Sequence, residues 1–344
     1  MKTEFPLLSV IIPTFNCERY VGKMIDSIIN QTFTNWELIL VDDGSTDRTC
    51  GLLNEYQNRD GRVKWYKRDR FPKGACTCRN VGFEKANNPK YVIWFDADDV
   101  IAPYCFEQRV DAMDSHPEMD FMVFPAKSFC NNPNETTNGY YGIKLFDEDV
   151  VKTFLSSVLP PFIGWTNIYR RESVLMYDLK WDENLLSKQD TEFNLQSVFK
   201  GCSFMYAENA EIDYYYRKVP NSIASNIVKP RHFASHIYLL KKISNYLLEY
   251  NSKECNHEYL TYTVHFARMF AQKKQYEYLD KLLKIDLIKN NHFFSFRIKL
   301  LKFLPSNYVK KISDILFPMI YYYNIRERYN AYCKYSVKMA ERSL

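Results

Sequence analysis

The 344-residue sequence predicts an α/β fold with a mostly parallel sheet flanked by helices, followed by a C-terminal helical region. Up to about residue 125, short apolar runs alternate with amphipathic segments of helical length, and polar loops follow several of the runs. Beyond residue 230 the pattern is nearly all helical. Strands that alternate with helices are joined by right-handed crossovers, which make the sheet parallel.

The apolar runs give the predicted strands in order. They are LLSVII (7–12), WELILV (36–41), RVKWY (62–66), YVIWF (91–95) and DFMVF (120–124). Residues 126–225 are less regular, with one clear helix predicted near 190–200. Ligands of parallel sheets bind beyond the carboxyl ends of the strands, so the loops that follow the strands are where functional residues are expected.

The charge is divided unevenly along the chain. The formal net charge is +5, but residues 231–344 hold 20 Lys and Arg against 9 Asp and Glu, a net of +11, which leaves −6 for the rest. A basic tail suits an anionic surface, either membrane headgroups or nucleic acid, or it is a set of solvated helical faces.

The cysteines and the N-terminus favour a cytoplasmic protein. The nine cysteines are odd in number and scattered, which is typical of reduced thiols. The opening MKTEFPLLSV lacks the apolar core of a secretory leader, and no run of 18 apolar residues exists that would span a bilayer.

Three acids follow the fourth predicted strand in FDADD. Mg²⁺ and Mn²⁺ at phosphate sites take oxygen ligands, usually one or two carboxylates with water and phosphate in the other positions. We expect Asp98 to be the direct ligand, with Asp96 and Asp99 in support. The alternative is an N-cap for a helix starting near Pro103, which explains Asp99 but not three acids.

Two further stretches lie at the same predicted sheet edge. In VDDGSTDRT a carboxylate suits a base N–H such as that of uracil, although these residue types also form turns and caps. In GACTCRNVGFEKA, Arg79 suits a phosphate or an active-site Asp, although a surface salt bridge is the plainer interpretation.

Together, LSVIIPTFN, SIINQTF, WELILVDDGSTDRT, CRNVGFEKA and YVIWFDADD resemble, in order and spacing, the family 2 glycosyltransferases, which have a GT-A (Rossmann-like) fold. The resemblance implies that Pro13, Thr14 and Phe15 hold the nucleotide. It also implies that one of Asp42 and Asp43 recognises uracil, and we favour Asp43.

The same resemblance implies that Arg79 lies near the donor and that Asp96 and Asp98 form a DxD motif binding Mn²⁺ or Mg²⁺ on the diphosphate. Cys78 replaces the family's usual Ala before Arg79, a small-for-small change. A sugar nucleotidyltransferase or a dehydrogenase is disfavoured, because no glycine-rich loop follows the first strand.

The family's catalytic base is implied to be Asp190, in WDENLLSKQDTEFNLQ. Lys188 and Gln189 stand where Gly and Glu are common in the family. Two alternatives stay open: Ser187 and Asp190 fit a capping box, and Glu192 is a rival base.

Two softer similarities lie further along the chain. Trp165 and Asn167 resemble an acceptor-lining segment, although a Trp is more often core or rim packing. YYYRKVPNSI, with Arg217 and Ser222, resembles the end of the catalytic domain.

The resemblance divides the chain into 1–103, the nucleotide-sugar-binding half of the GT-A domain, 104–228, the acceptor-binding half, and 229–344, the basic helical region. It implies an inverting enzyme that transfers a hexosyl or N-acetylhexosaminyl group from a UDP-sugar to a glycan or a lipid-linked saccharide. The process would be the assembly of a bacterial polysaccharide, such as capsule or lipopolysaccharide, and nucleic acid is not expected as a partner. The departures at 188 and 189 leave a non-enzymatic nucleotide-sugar binder as the alternative.

The tail contains a stretch that suits a membrane surface. In FFSFRIKLLKFL, Ser295, Lys299 and Lys302 lie on one helical face, and Arg326 and Arg328 follow among aromatic residues. We therefore expect either peripheral contact with the inner face of the cell membrane or packing of these helices against the catalytic domain.

Overall fold

The computed structural model describes residues 5–135, 139–144, 149–156, 160–219 and 228–317. Ser222, Arg326 and Arg328 lie outside these residues. The tertiary contacts divide the chain into two compact units that alternate along the sequence. The first unit comprises Met1–Lys144, Phe162–Asn184 and Gln196–Pro220, and the second comprises Leu145–Pro161, Leu185–Leu195 and Asn221–Leu344.

The first unit is built on a seven-stranded sheet with the order β10-β6-β9-β4-β1-β2-β3. Its strands are β1 (Leu8–Thr14), β2 (Trp36–Asp42), β3 (Val63–Lys67), β4 (Tyr91–Trp94), β6 (Phe121–Val123), β9 (Asn167–Arg170) and β10 (Phe204–Tyr206). The strand β9 is antiparallel to both neighbours, and all other pairs are parallel. Every residue of β2 and β4 is buried, as the unbroken apolar runs indicate.

Helices flank this sheet. They are α1 (Val21–Ile29), α2 (Thr49–Arg59), α3 (Ala75–Lys85), α4 (Cys105–Ser115) and α6 (Arg171–Met176). The helix α3 lies very close to β1 at Gly82, where a Cβ atom would come within 2.3 Å of Ile11 Cγ2. A glycine is therefore required at this crossing, and the close approach fixes the helix that carries Arg79.

A second sheet of four strands, in the order β5-β11-β7-β8, completes the first unit. It consists of β5 (Val100–Ile101), β7 (Ala126–Phe129), β8 (Tyr140–Tyr141) and β11 (Tyr214–Arg217). Beside it, Arg109 of α4 forms two hydrogen bonds of 2.8 and 2.7 Å with the Asp213 carboxylate, and both side chains are completely buried. Arg109 also donates to the Trp165 carbonyl at 3.0 Å.

Replacing Asp213 by asparagine is expected to cost about 3–5 kcal/mol of unfolding free energy, because the Arg109 guanidinium would remain charged and buried without its counter-ion. Urea unfolding followed by circular dichroism measures this loss. Asp178, whose side chain is 72% exposed beside Lys180, provides the control: Asp178→Asn should change stability by less than about 1 kcal/mol. Equal effects of the two substitutions would contradict the prediction.

The second unit is helical in its described part. It contains α5 (Val150–Ser156), the first residues of α7 (Gln189–Phe199), α8 (Phe233–Glu249), α9 (Asn256–Gln272), α10 (Tyr276–Leu282), α11 (Asp286–Lys289), α12 (His292–Leu300) and α13 (Val309–Leu316). Its core lies around α9, which packs against α5, α8, α10 and α13. No helix within the described ranges has both the length and the apolar character needed to cross a bilayer.

The predicted fold class is confirmed: a mostly parallel sheet flanked by helices precedes a C-terminal helical region. The five predicted strands and the helix near 190–200 are all present, with ends that differ by one or two residues. The second, four-stranded sheet was not predicted, because its strands are two to four residues long and too short to show a hydrophobic period.

Candidate functional site

Strand register brings the three predicted loops to one edge of the large sheet. The parallel pairing of β1 with β2 places Thr14 opposite Asp42, and the Asp43 amide donates to the Thr14 carbonyl at 2.8 Å. On the other side of β1, the Phe95 amide donates to the Ile11 carbonyl at 3.0 Å. The loops that begin at Pro13, Asp42 and Asp96 therefore start at the same carboxyl edge.

The first two loops are joined by hydrogen bonds around Asn16. Its amide donates to the Ser45 hydroxyl at 2.9 Å, and its side-chain oxygen accepts the Thr46 N–H at 2.8 Å. Asn16 has φ of 46°, a left-handed conformation that Asn tolerates better than most residues. These bonds hold the loop after β1 in a fixed position beside the acidic pair.

The two acids of the pair have different surroundings. The Asp42 carboxylate accepts the N–H groups of Gly44 and Ser45, both at 2.9 Å, and the Ser45 hydroxyl at 2.5 Å, so it closes its own turn. The Asp43 carboxylate accepts Arg68 Nε at 2.6 Å and the Gly74 N–H at 3.1 Å through the same oxygen. Asp42 is therefore occupied by local structure, whereas the second oxygen of Asp43 has no hydrogen bond to a described residue.

The residues of the loop after β1 differ in exposure. Thr14 is buried and contacts Asp42 Oδ1 through its hydroxyl at 3.5 Å, and Pro13 is half-buried. Phe15 is 47% exposed, and Lys73 Nζ lies 4.0 Å from the centroid of its ring. An exposed aromatic face at this edge is available to a planar base.

Arg79 of α3 is fixed against the third loop. Its Nη2 donates to Asp96 Oδ1 at 2.7 Å, and its guanidinium carbon lies 4.3 Å from the centroid of the Trp181 ring. Only 5% of Arg79 is exposed. The sequence left open whether Arg79 binds a phosphate, pairs with an aspartate of the site or forms a surface salt bridge. In the structure this buried arginine pairs with Asp96 of the site.

Asp99 anchors the third loop to the small sheet. It is completely buried and accepts the Tyr214 hydroxyl at 2.5 Å and the Arg217 N–H at 2.6 Å. Arg217 Nε also donates to the Asp98 carbonyl at 2.7 Å. Since α4 begins only at Cys105, Asp99 is not its N-cap, and it is bound to β11 instead.

The Asp98 carboxyl group has an environment that opposes its ionisation. Burial, with a further contribution from the negative charge of Asp96, raises its pKa to about 6. A cation near Asp98 would relieve both effects. No group of three or more His, Cys, Asp or Glu side chains suited to a metal occurs in the described part of the chain. Asp96 and Asp98 offer two carboxylates, which is the number that Mg²⁺ or Mn²⁺ takes when phosphate and water complete its shell.

The raised pKa of Asp98 predicts a pH dependence of the metal-free protein. Between pH of about 4 and 6 the folded protein retains a proton that the unfolded chain has released, so Asp98 lowers stability as the pH rises. Compared with wild type, Asp98→Asn should therefore gain about 1–2 kcal/mol of unfolding free energy across this range. Urea unfolding of both proteins in chelator measures the difference, and a difference that does not change with pH would contradict the prediction.

The predicted acceptor residues are part of the core. Trp165 is 3% exposed, and its ring lies nearly parallel to those of Tyr214 and Tyr216, with centroids 4.6 and 5.6 Å apart. Asn167 is completely buried and donates to the Tyr169 hydroxyl at 3.1 Å. The structure thus shows the packing role for Trp165 that the sequence left as an alternative.

Asp190 lies in the first turn of α7, in the second unit, and is half-buried. The rival base Glu192 is completely buried, with Lys242 Nζ at 2.7 Å and the Tyr246 hydroxyl at 2.8 Å from its carboxylate. The Ser187 hydroxyl is buried and makes no hydrogen bond to a described residue, so the capping role is not seen. Glu192 anchors α7 to α8 and is not available to an acceptor.

Several residues of the site were not found from the sequence. Arg68 pairs with Asp43, and Tyr214 binds Asp99 from 115 positions away. A contact at that separation leaves no local pattern. Arg68 is the first residue after β3, in the basic stretch KRDR (67–70). Functional residues of a parallel sheet tend to follow its strands, and this rule could have identified Arg68.

The chain is similar to known glycosyltransferases in sequence and in fold. Residues 9–175 match the model of glycosyl transferase family 2. An uncharacterized glycosyltransferase of Haemophilus influenzae is 40% identical over 110 residues, 32% of this chain and 43% of the relative. Uncharacterized glycosyltransferase EpsJ of Bacillus subtilis is 28% identical over 229 residues, 65% of each chain. The chain thus spans less than two thirds of the length of both relatives.

The poly(ribitol-phosphate) beta-N-acetylglucosaminyltransferase TarS of Staphylococcus aureus is 26% identical over 65% of this chain and 38% of the relative. A crystal structure of S. aureus TarS 1-349 in complex with UDP-GlcNAc has the same fold, with a TM-score of 0.64 and 20% identity over 98% of this chain and 91% of that chain. The predicted GT-A fold is thereby confirmed. Over residues 9–175 the chain matches glycosyl transferase family 2, and the relatives that it resembles are named glycosyltransferases.

Proposed function

We propose that the protein transfers a sugar, a hexose or N-acetylhexosamine, from a UDP-sugar to a saccharide hydroxyl, with inversion at the anomeric carbon. The observation that supports this most is the arrangement at the carboxyl edge of the large sheet. An acidic pair and an exposed Phe15 lie beside two further carboxylates and the buried Arg79. The complex of TarS with UDP-GlcNAc makes that nucleotide sugar the first donor to test.

In this proposal each part of the edge has one task. Phe15 and Pro13 contact the base, and the second oxygen of Asp43 accepts a uracil N–H. Asp96 and Asp98 hold Mn²⁺ or Mg²⁺. A bound divalent ion supplies positive charge opposite the diphosphate of the leaving nucleotide. Arg79 contributes a second positive charge that is already held in place by Asp96 and Trp181, so it needs no reorganisation.

Asp190 is proposed as the general base that removes the proton of the acceptor hydroxyl. The acceptor is proposed to be a glycan or a lipid-linked saccharide, as in the assembly of a bacterial polysaccharide, and the protein to work in the cytoplasm. The division into a donor half (1–103), an acceptor half (104–228) and a basic helical region (229–344) remains part of this proposal. A degenerate nucleotide-sugar binder is the second candidate, because Lys188 and Gln189 depart from the family's pattern.

Thermal-shift measurements with nucleotide sugars test the donor assignment. UDP and UDP-GlcNAc are expected to raise the melting temperature by several degrees when Mn²⁺ is present, and by less in chelator, because ligand binding stabilises the folded state. GDP and its sugars serve as the control and should have little effect. If no UDP compound stabilised the protein, or if the metal made no difference, the assignment would be wrong.

A further inference from the structure

A row of exposed phenylalanines lies near the end of the described chain. Phe293, Phe296 and Phe303 are 65%, 59% and 82% exposed. The first two are three positions apart on α12 and share one face, and Phe303 closes the 3-10 turn that follows this helix. We call these three residues the phenylalanine row. Several large aromatic side chains so exposed within eleven residues indicate a contact surface.

The helix that carries the row is firmly held on its other side. Phe294 and Ile298 are buried, and the buried Ser295 hydroxyl donates to the Ile288 carbonyl at 2.6 Å. The Asn291 side chain accepts the Phe294 N–H at 3.0 Å and caps the helix. The outward rings are therefore additional to those that α12 needs for its own packing.

This arrangement corrects the polar face that the sequence suggested. Ser295, Lys299 and Lys302 were expected to form it, but Ser295 is buried and Lys302 is paired with Asp280. Among the three, only the Lys299 side chain is exposed. The surface of α12 is thus aromatic and cationic at the same time.

Positive charge predominates in the stretch of sequence that contains the row. Residues 289–317 contain six Lys and Arg and a single acid, Asp314. The Arg297 guanidinium carbon lies 3.9 Å from the centroid of the Phe293 ring, and Lys289, Lys299 and Lys310 are exposed. A second copy of the chain would bring an equally basic surface against this one and would be repelled.

We propose that the phenylalanine row and the cations around it bind the surface of an anionic lipid bilayer. Aromatic rings insert at the boundary between headgroups and acyl chains, while Lys and Arg side chains extend towards the headgroup phosphates. Negatively charged lipids complement the excess of positive charge, which neither a neutral bilayer nor a basic partner would do. This binding is independent of the sugar transfer, although it would bring the protein to a lipid-linked acceptor.

Sedimentation of the full chain with lipid vesicles tests the proposal. Binding to vesicles of phosphatidylcholine mixed with phosphatidylglycerol should be at least about tenfold tighter than binding to phosphatidylcholine alone, and it should weaken as salt is added. The variant F293S/F296S/F303S should lose at least about tenfold in affinity for the anionic vesicles. Leu248→Ser, which removes a 53% exposed apolar side chain from α8, is the matched control and should bind like wild type.

Two results would overturn the proposal: equal binding of wild type and the triple variant, or no preference for anionic vesicles. Phe296→Trp reports on other occupants once the emission of wild type, which contains five tryptophans, is subtracted, because an exposed indole emits at long wavelength and shifts to shorter wavelength when lipid covers it. A difference emission that is already shifted without vesicles would show that residues 318–344 or a second copy covers the row, and the proposal would fall. UDP affinity should be the same in every variant, which separates this test from that of the donor site.

Discussion

Replacing Asp190 by asparagine is expected to reduce kcat for sugar transfer by about a thousandfold, since asparagine cannot accept the proton of the acceptor hydroxyl. The affinity for UDP should remain within about twofold of wild type, because Asp190 has no part in the proposed nucleotide site. Transfer from UDP-GlcNAc to an acceptor saccharide, together with UDP binding by calorimetry, measures both quantities. Loss of turnover with retained nucleotide binding would support the role of the base.

Two further variants make this result specific. Asp286→Asn changes an exposed carboxylate of the second unit and should leave turnover unchanged. Glu192→Gln removes the charge that Lys242 neutralises, so it should lower the melting temperature. A wild-type rate for Asp190→Asn would exclude this residue as the base. If wild-type protein bound UDP but transferred no sugar to any acceptor, the non-enzymatic binder would be the better account.

Replacing Asp98 by asparagine is expected to lower kcat/KM by about a hundredfold to a thousandfold, because the proposed metal ion would lose one of its two carboxylate ligands while the leaving diphosphate gains negative charge. In contrast to Asp190→Asn, this change should also weaken UDP binding in Mn²⁺. Calorimetry with and without chelator separates the effects: in chelator, wild type and variant should bind UDP equally weakly.

The control for Asp98 is Asp178→Asn, because Asp178 is exposed and pairs only with Lys180 among the described residues. Its kcat/KM and its metal dependence should match wild type. Full Mn²⁺-dependent UDP binding by Asp98→Asn would contradict the metal assignment without affecting the proposed role of Asp190. The two substitutions therefore test donor and acceptor chemistry separately.

The sequence predicted well which loops meet at one edge of the large sheet, because the information for this is local. An apolar run buried on both faces, as at Tyr91–Trp94, is typical of a central strand, and parallel pairing then brings the loops that follow β1, β2 and β4 to one edge. Asp96 and Asp98 adjoin the strand that positions them. No tertiary contact had to be known to place them together.

The contacts that stabilise the site were beyond such reasoning. Asp99 was predicted to support Asp98 or to cap a helix, but its partners Tyr214 and Arg217 belong to a strand more than 110 positions away. Glu192 was a rival base because the sequence shows that an acid lies near the start of a helix, but it does not show which side chains cover that acid. Its burial depends on Lys242 and Tyr246 of α8, which only the folded chain brings there.

The anchoring of Glu192 by α8 has a consequence for chimeric proteins. One way to try to change the acceptor preference is to exchange the C-terminal part of this chain for that of a relative. If the two parts were joined between residues 195 and 233, Glu192 would come from this chain and the residues at positions 242 and 246 from the relative. The buried Glu192 carboxylate would then lose Lys242 and Tyr246, which would destabilise the chimera. A successful graft would have to carry the segment around Asp190 together with the helices that follow it.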